Sequence, residues 1–133
     1  MNVRTRIAPS PTGKLHIGTL RTVLFDYALA KKNNGEFVVR IEDTDQNRFV
    51  EGSTEEIYEM LEAYKLIPDE GPICGGDFGP YIQSQRKEIY KKYAEELISK
   101  GFAYYCFLKG EELELLQQNF RGKGFRSPFR DQE

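Results

Sequence analysis

Between positions 20 and 28 the apolar residues Leu20, Val23, Leu24, Tyr27 and Ala28 stand at i, i+3, i+4, i+7 and i+8, the single stripe of a helix over about 18–33. Lys31 and Lys32 fall in its last turn, where cations complement the carbonyl end, and Asn33-Asn34-Gly35 supplies a left-handed stop. Before the helix, Val3 and Ile7 open a short strand that Pro9, Pro11 and Gly13 break. After it, Glu36-Phe37-Val38-Val39-Arg40-Ile41 is mostly apolar without strict alternation, as in a parallel strand covered on both faces. Strand, helix and strand make one right-handed crossover unit, which predicts an α/β, Rossmann-like fold with a doubly wound parallel sheet. Ligands of such sheets sit beyond the carboxyl ends of the strands, and segments 8–18 and 42–45 both fall at that rim.

Further along, Ser53-Thr54-Glu55-Glu56 has the form of a capping box, Ser53 and Glu56 each serving the other's backbone donor. It predicts a second helix with Ile57, Met60, Leu61 and Tyr64 as its core stripe and Pro68 near its end. Residues 69–83 are rich in Gly, Pro and Asp and predict a long loop, in which Asp69-Glu70-Gly71-Pro72 reads as a solvated turn. A third helix over 84–100 places Tyr90, Tyr93, Ala94, Leu97 and Ile98 on one face, the tyrosines as core, and Gly101 stops it. Phe102-Ala103-Tyr104-Tyr105-Cys106-Phe107 then reads as a third strand and 111–118 as a short helix.

Composition changes this picture in three places. The formal net charge is −2, so any nucleic-acid contact has to come from a local patch. Segment 120–130 is such a patch, with four cations, three aromatics and no acid; its residues fit a track for a phosphate backbone and stacked bases, or equally a solvated linker. No apolar run approaches the length of a membrane span and no signal-peptide pattern opens the chain, which predicts a cytoplasmic location. There Cys74 and Cys106 are expected as reduced thiols.

The candidate chemistry lies at the predicted rim. A helix start emerging from a loop presents backbone N–H groups and about half a positive charge, a natural seat for phosphate. Gly18 lets a ligand approach the backbone, and His16, the only histidine, offers a donor to a phosphate oxygen. On the residues alone, a nucleotide site and an ordinary turn with a surface histidine both stand. The acidic string Glu42-Asp43-Thr44-Asp45 likewise fits either a divalent ion or a solvated loop.

Two strings in order narrow these choices. His16-Ile17-Gly18-Thr19 resembles the His-Ile-Gly-His-like signature of class I aminoacyl-tRNA synthetases. Arg6-Ile7-Ala8-Pro9-Ser10-Pro11-Thr12-Gly13 and Arg40-Ile41-Glu42-Asp43-Thr44-Asp45 resemble the glutamyl-tRNA synthetase branch, as does Asp69-Glu70-Gly71-Pro72. The resemblance implies ATP-dependent activation of L-glutamate to glutamyl-adenylate, with Mg²⁺ accompanying ATP, and transfer to tRNA(Glu). It assigns His16 and Gly18 to the catalytic ATP site, with Thr12 and Thr19 as polar neighbours. Arg6 is assigned to a glutamate carboxylate and Glu42 to its ammonium group, Ala8 and Ser10 to further contacts, and Arg48 to the vicinity of the side-chain carboxylate. Thr19 stands where the signature often has a second histidine and carries no charge. Some relatives hold zinc at the position of Cys106; here no histidine or cysteine follows it, and one thiolate cannot fill a tetrahedral site, so no zinc is expected.

By the same resemblance, 1–104 is the N-terminal half of the nucleotide-binding fold and 105–133 the start of an acceptor-end-binding insertion. The Lys-Met-Ser-Lys-Ser-like loop, the second half of the fold and the anticodon-binding helices have no counterpart, so the chain is expected to be an incomplete, monomeric N-terminal fragment with little aminoacylation activity alone. Two rivals remain: the glutamyl-queuosine tRNA(Asp) synthetase-like paralogue, and a nucleotide- or RNA-binding module without catalysis. Asp43-Thr44-Asp45 is more like the protein-synthesis enzyme than the paralogue.

Overall fold

β1 (Arg4–Ile7) and β2 (Glu36–Val39) pair in parallel, Arg4 opposite Glu36 through Ile7 opposite Val39, with α1 (Ile17–Lys32) as the crossover between them. The computed structural model describes residues 3–12, 16–45, 48, 50–120 and 127–130. They belong to two compact units, 1–87 and 88–133.

In the first unit the period-two alternation of the strands sends Ile7, Phe37, Val39 and Ile41 into one core with Val23 and Ala30 of α1 and Ile57 and Leu61 of α2 (Ser53–Ala63). Phe37 meets Tyr27 edge-on at 5.6 Å between centroids. Val38, pointing the other way, is also buried, so β2 is covered on both faces as its sequence predicts. Among the described residues no strand pairs with the other edge of β1.

The predicted stop after α1 is present: Asn34 takes a left-handed φ of 49°, and the Gly35 N–H donates to the Ala30 carbonyl at 2.8 Å. Gly35 is needed for a second reason. A Cβ there would stand 2.0 Å from the Val3 carbonyl oxygen, which accepts the Glu36 N–H and starts the strand ladder. Gly35→Ala is therefore expected to cost about 2 kcal/mol by forcing the first ladder bond apart, measured as a lower urea midpoint.

Several expectations are corrected. The buried face of α1 is Val23 and Ala30, with Leu20 and Tyr27 half-buried; Leu24 and Ala28 are exposed, because two strands cover only a narrow stripe of the helix. Ile17, Phe25 and Leu29 are exposed as well. Ser53 is the first residue of α2 rather than its cap: the chain enters through Gly52 at a φ of 81°, and the Ser53 hydroxyl donates to the Val50 carbonyl at 2.6 Å. Tyr64, at the end of α2, is exposed.

Asp69-Glu70 is not a solvated turn. Glu70 is buried, and Val38 and Glu70 form a parallel bridge, so the segment docks on the second edge of β2. Its carboxylate takes a bidentate pair from Arg4, at 2.8 and 2.7 Å, and a hydrogen bond from the buried Tyr81 hydroxyl. Asp69 accepts from the Phe37 N–H at 2.7 Å and from Lys31.

The predicted third helix begins as a 3₁₀ turn, Gln83–Arg86, and continues as α3 (Lys87–Ser99). No residue of α3 is buried, and Tyr90 and Tyr93 are exposed rather than core, since an apolar stripe needs an opposing layer to become one. Segment 102–107 forms no strand: it has no ladder partner among the described residues, and Phe102, Tyr105 and Phe107 stay exposed. Its aromatic rings find each other instead, Tyr105 stacked on Phe107 at 6.3 Å and Phe107 edge-on to Phe129 at 5.6 Å. α4 (Gly110–Asn119) matches the predicted short helix, with Glu112 accepting the Lys109 N–H at 2.8 Å. The basic and aromatic patch falls largely on 121–126, outside the described residues. Cys74 and Cys106 are free thiols, and no described helix is long and apolar enough to cross a membrane.

Candidate active site

Where β1 ends, Pro9 and Pro11 are buried and carry the chain across the sheet rim. Their carbonyls accept the N–H groups of Glu42, at 2.9 Å, and Val50, at 3.0 Å. The bend after β1 and the turn after β2 are thus laced together.

His16 is the N-cap of α1, with extended backbone at φ −73° and ψ 148°. Its Nδ1 accepts the Gly18 N–H at 3.0 Å, and its carbonyl accepts from Thr19 and Leu20. Two consequences follow. The amides of Gly18 and Thr19 are taken up within the turn rather than left for a ligand. The neutral imidazole, accepting at Nδ1, carries its proton on Nε2, where it is a donor at the exposed end of the helix. Sequence rules miss this cap because histidine is outside the residue types that usually cap helices.

Beside this helix start lies an open cleft of about 310 Å³ lined by Arg6, Ile7, Ala8, Pro9, Gly18, Thr19, Thr22 and Asp26. Four of the predicted residues, Arg6, Ala8, Gly18 and Thr19, meet there. Thr22 and Asp26 were not anticipated; their signal is the i, i+4 spacing from Gly18, which puts 18, 22 and 26 along one helix face. The Arg6 guanidinium also donates to Glu42 Oε1 at 2.9 Å, and Arg40 donates to the same oxygen at 2.9 Å. Burial pushes the Glu42 carboxyl up, but the hydrogen bonds from Arg40 and Arg6 outweigh it and hold the group below its ordinary value.

A sequence profile described as "tRNA synthetases class I (E and Q), catalytic domain" matches residues 2–133. The chain belongs to this class I synthetase family. The glutamate–tRNA ligase of Clostridium botulinum is 55% identical over 128 residues, which are 96% of this chain and 26% of that protein. That of Clostridium novyi is 58% identical over 117 residues, 88% of this chain and 24% of the relative. The crystal structure of a glutamate tRNA ligase from Elizabethkingia meningosepticum, in complex with its amino acid, is similar with a TM-score of 0.85 at 49% identity, covering 94% of this chain and 25% of that one. The chain spans about a quarter of the length of the relatives it matches. Its α/β architecture, with a parallel strand pair and helices, is consistent with the Rossmann-like fold of class I synthetases.

Other predicted residues of this synthetase chain lie outside the cleft. Ser10 and Thr12 sit exposed on the bend, the Thr12 N–H donating to the Ser10 carbonyl at 2.8 Å. Arg48 is exposed and pairs with Asp45 at 2.5 Å. Asp43 is buried and accepts the Ser84 N–H at 2.8 Å, so the acidic string is not a uniformly solvated loop. Among the described residues no group of three or more His, Cys, Asp or Glu side chains is placed to hold a metal ion. A larger hollow of about 410 Å³ lies between α2 and segment 66–74, walled by Leu61, Ile67, Pro68 and Ile73 with Glu55, Glu59 and Glu62 around it. It offers no cation to a phosphate or carboxylate, which the Arg6 cleft does.

Proposed function

We propose that the Arg6 cleft and the His16-capped helix start are the ATP and L-glutamate site of a glutamate–tRNA ligase. The observation that carries this is the convergence of Arg6 and Arg40 on the Glu42 carboxylate, with Arg6 also lining the cleft that Gly18 and Thr19 border in the first turn of the helix. A guanidinium for a carboxylate and a carboxylate for an ammonium are what a zwitterionic amino acid with an acidic side chain needs. The reaction is attack of the glutamate α-carboxylate on the α-phosphorus of ATP, forming glutamyl-adenylate and releasing pyrophosphate, followed by transfer of the glutamyl group to the terminal adenosine of tRNA(Glu).

In this reaction His16 donates from Nε2 to phosphate oxygen, and Gly18 keeps the space beside the ring clear for the nucleotide. Thr12 and Thr19 supply polar contacts to ATP, which brings its own Mg²⁺. Arg6 binds a carboxylate, Glu42 the ammonium, and Ala8 and Ser10 frame the amino acid. Arg48 serves the side-chain carboxylate once released from Asp45. Catalysis of this kind rests on positioning and on neutralising phosphate charge, without a covalent enzyme intermediate. The domain reading, with 1–104 as the nucleotide-binding half and 105–133 opening an acceptor-end-binding insertion, belongs to the same proposal, as do a cytoplasmic setting and a monomeric state. The relatives named above are glutamate–tRNA ligases, which supports this reading over the queuosine-directed paralogue.

Titration calorimetry tests it. The chain is expected to bind a non-hydrolysable glutamyl-adenylate analogue at least tenfold more tightly than the alanyl counterpart, the value of about one well-made charged contact. Equal affinity for the two analogues would make the cleft a nucleotide site without amino-acid selectivity.

A further inference from the structure

Glu42 is held from two sides, and the two holders differ. Arg6 on β1 and Arg40 just past β2 both donate to Oε1, while Oε2 accepts no hydrogen bond from a described residue. The Arg6 side chain is 43% exposed and lines the cleft. Arg40 is 26% exposed and outside that cleft, its Nε is sealed from solvent with no hydrogen-bond partner among the described residues, and it shares with Arg6 a smaller hollow of about 190 Å³ on the other side. Of the two arginines on Glu42, Arg6 is the more exposed and reaches the cleft beside the helix start, and Arg40 is the more enclosed.

We infer that Arg40 is a positioning residue: it fixes Oε1 of Glu42 so that Oε2 meets the substrate ammonium while Arg6 swings from Glu42 to a substrate carboxylate. This rests on the cleft being a glutamate site. Without Arg40, the partner that steadies Glu42 is the arginine the substrate also needs, so binding would have to break the pair that orients the ammonium acceptor. Among the described residues the charged groups acting on Glu42 are Arg40 and Arg6.

Two measurements on the full chain test this. In the first, ¹³C NMR follows the Glu42 carboxyl during acid titration without ligand. Arg40→Gln is expected to raise its midpoint toward the ordinary carboxylate range by more than Arg6→Gln does; an equal or larger rise in Arg6→Gln overturns the assignment of Arg40 as the anchor. In the second, Arg40→Gln is expected to weaken binding of the glutamyl-adenylate analogue about tenfold or more, the value of a charge-assisted hydrogen bond. The acid limb of its affinity should move to higher pH in step with Glu42, and Arg40→Lys should recover part of the loss. Unchanged affinity and an unchanged acid limb in Arg40→Gln would sink the inference while leaving the glutamate site intact. If the unmodified chain shows no glutamyl preference, the site reading fails instead, and the ligand-free titration still decides which arginine holds Glu42.

Discussion

Glu70→Ala is expected to lower the stability of the chain by about 3 kcal/mol, the usual cost of removing one partner from a buried ion pair. Glu70 is 8% exposed and receives both guanidinium nitrogens of Arg4 as well as the Tyr81 hydroxyl. Without it Arg4 keeps Glu36, at the sheet surface, but the buried Tyr81 hydroxyl loses its acceptor and segment 69–82 loses its clamp on the sheet. Glu70→Gln preserves shape and one acceptor and should cost less. Urea unfolding with an unchanged slope would give both values; a loss under 1 kcal/mol for the alanine variant would mean that the clamp is ornamental.

The same carboxylates set the acid limit. Arg4, and then Tyr81, hold Glu70 below its ordinary value; for Asp69 burial works upward but is outweighed by Lys31 and the Phe37 N–H. Both groups therefore bind protons more weakly folded than unfolded. Their contribution is complete above the ordinary carboxylate range near pH 4 and is lost as the pH falls through the lower folded values. Glu70→Gln should flatten that acid slope.

The largest effect on binding is expected from Glu42→Gln, a loss of about a hundredfold in affinity for the glutamyl-adenylate analogue, in line with truncating one member of a hydrogen-bonded charge pair. The neutral amide removes the counter-charge for the substrate ammonium and leaves Arg6 and Arg40 facing each other across a group that no longer offsets them. Calorimetry with ATP alone separates causes. A parallel fall in ATP affinity would mean that the rim has collapsed once Arg6 and Arg40 lose their shared carboxylate.

The unit β1–α1–β2 was legible because each of its signals is local: an apolar stripe, a lysine-capped end, a left-handed stop and a run of apolar strand positions. At the rim, Arg6 and Glu42 were singled out through the resemblance of two strings, and the structure pairs them. Glu70 was not. A carboxylate in a Gly- and Pro-rich string looks solvated until Arg4, 66 positions away, and Tyr81 close over it. His16 was read as a candidate donor to phosphate but not as a helix cap, since its bond to Gly18 depends on a rotamer that no pattern encodes. Phe102 to Phe107 carried strand-like residues, yet a strand exists only through its neighbour, and Tyr90 and Tyr93 formed an apolar stripe that stays exposed. Arg40 read as one more residue of an apolar run, although its partner lies two positions on.

The side of β1 that no described strand covers, next to a helix that shows Leu24, Phe25 and Leu29 to water, has a practical consequence. A strand edge beside greasy surface forms an adhesive seam. What reaches that seam first during expression decides the yield: another molecule of the same kind drives it into inclusion bodies, whereas a co-expressed polypeptide bringing a matching strand would rescue it by fragment complementation.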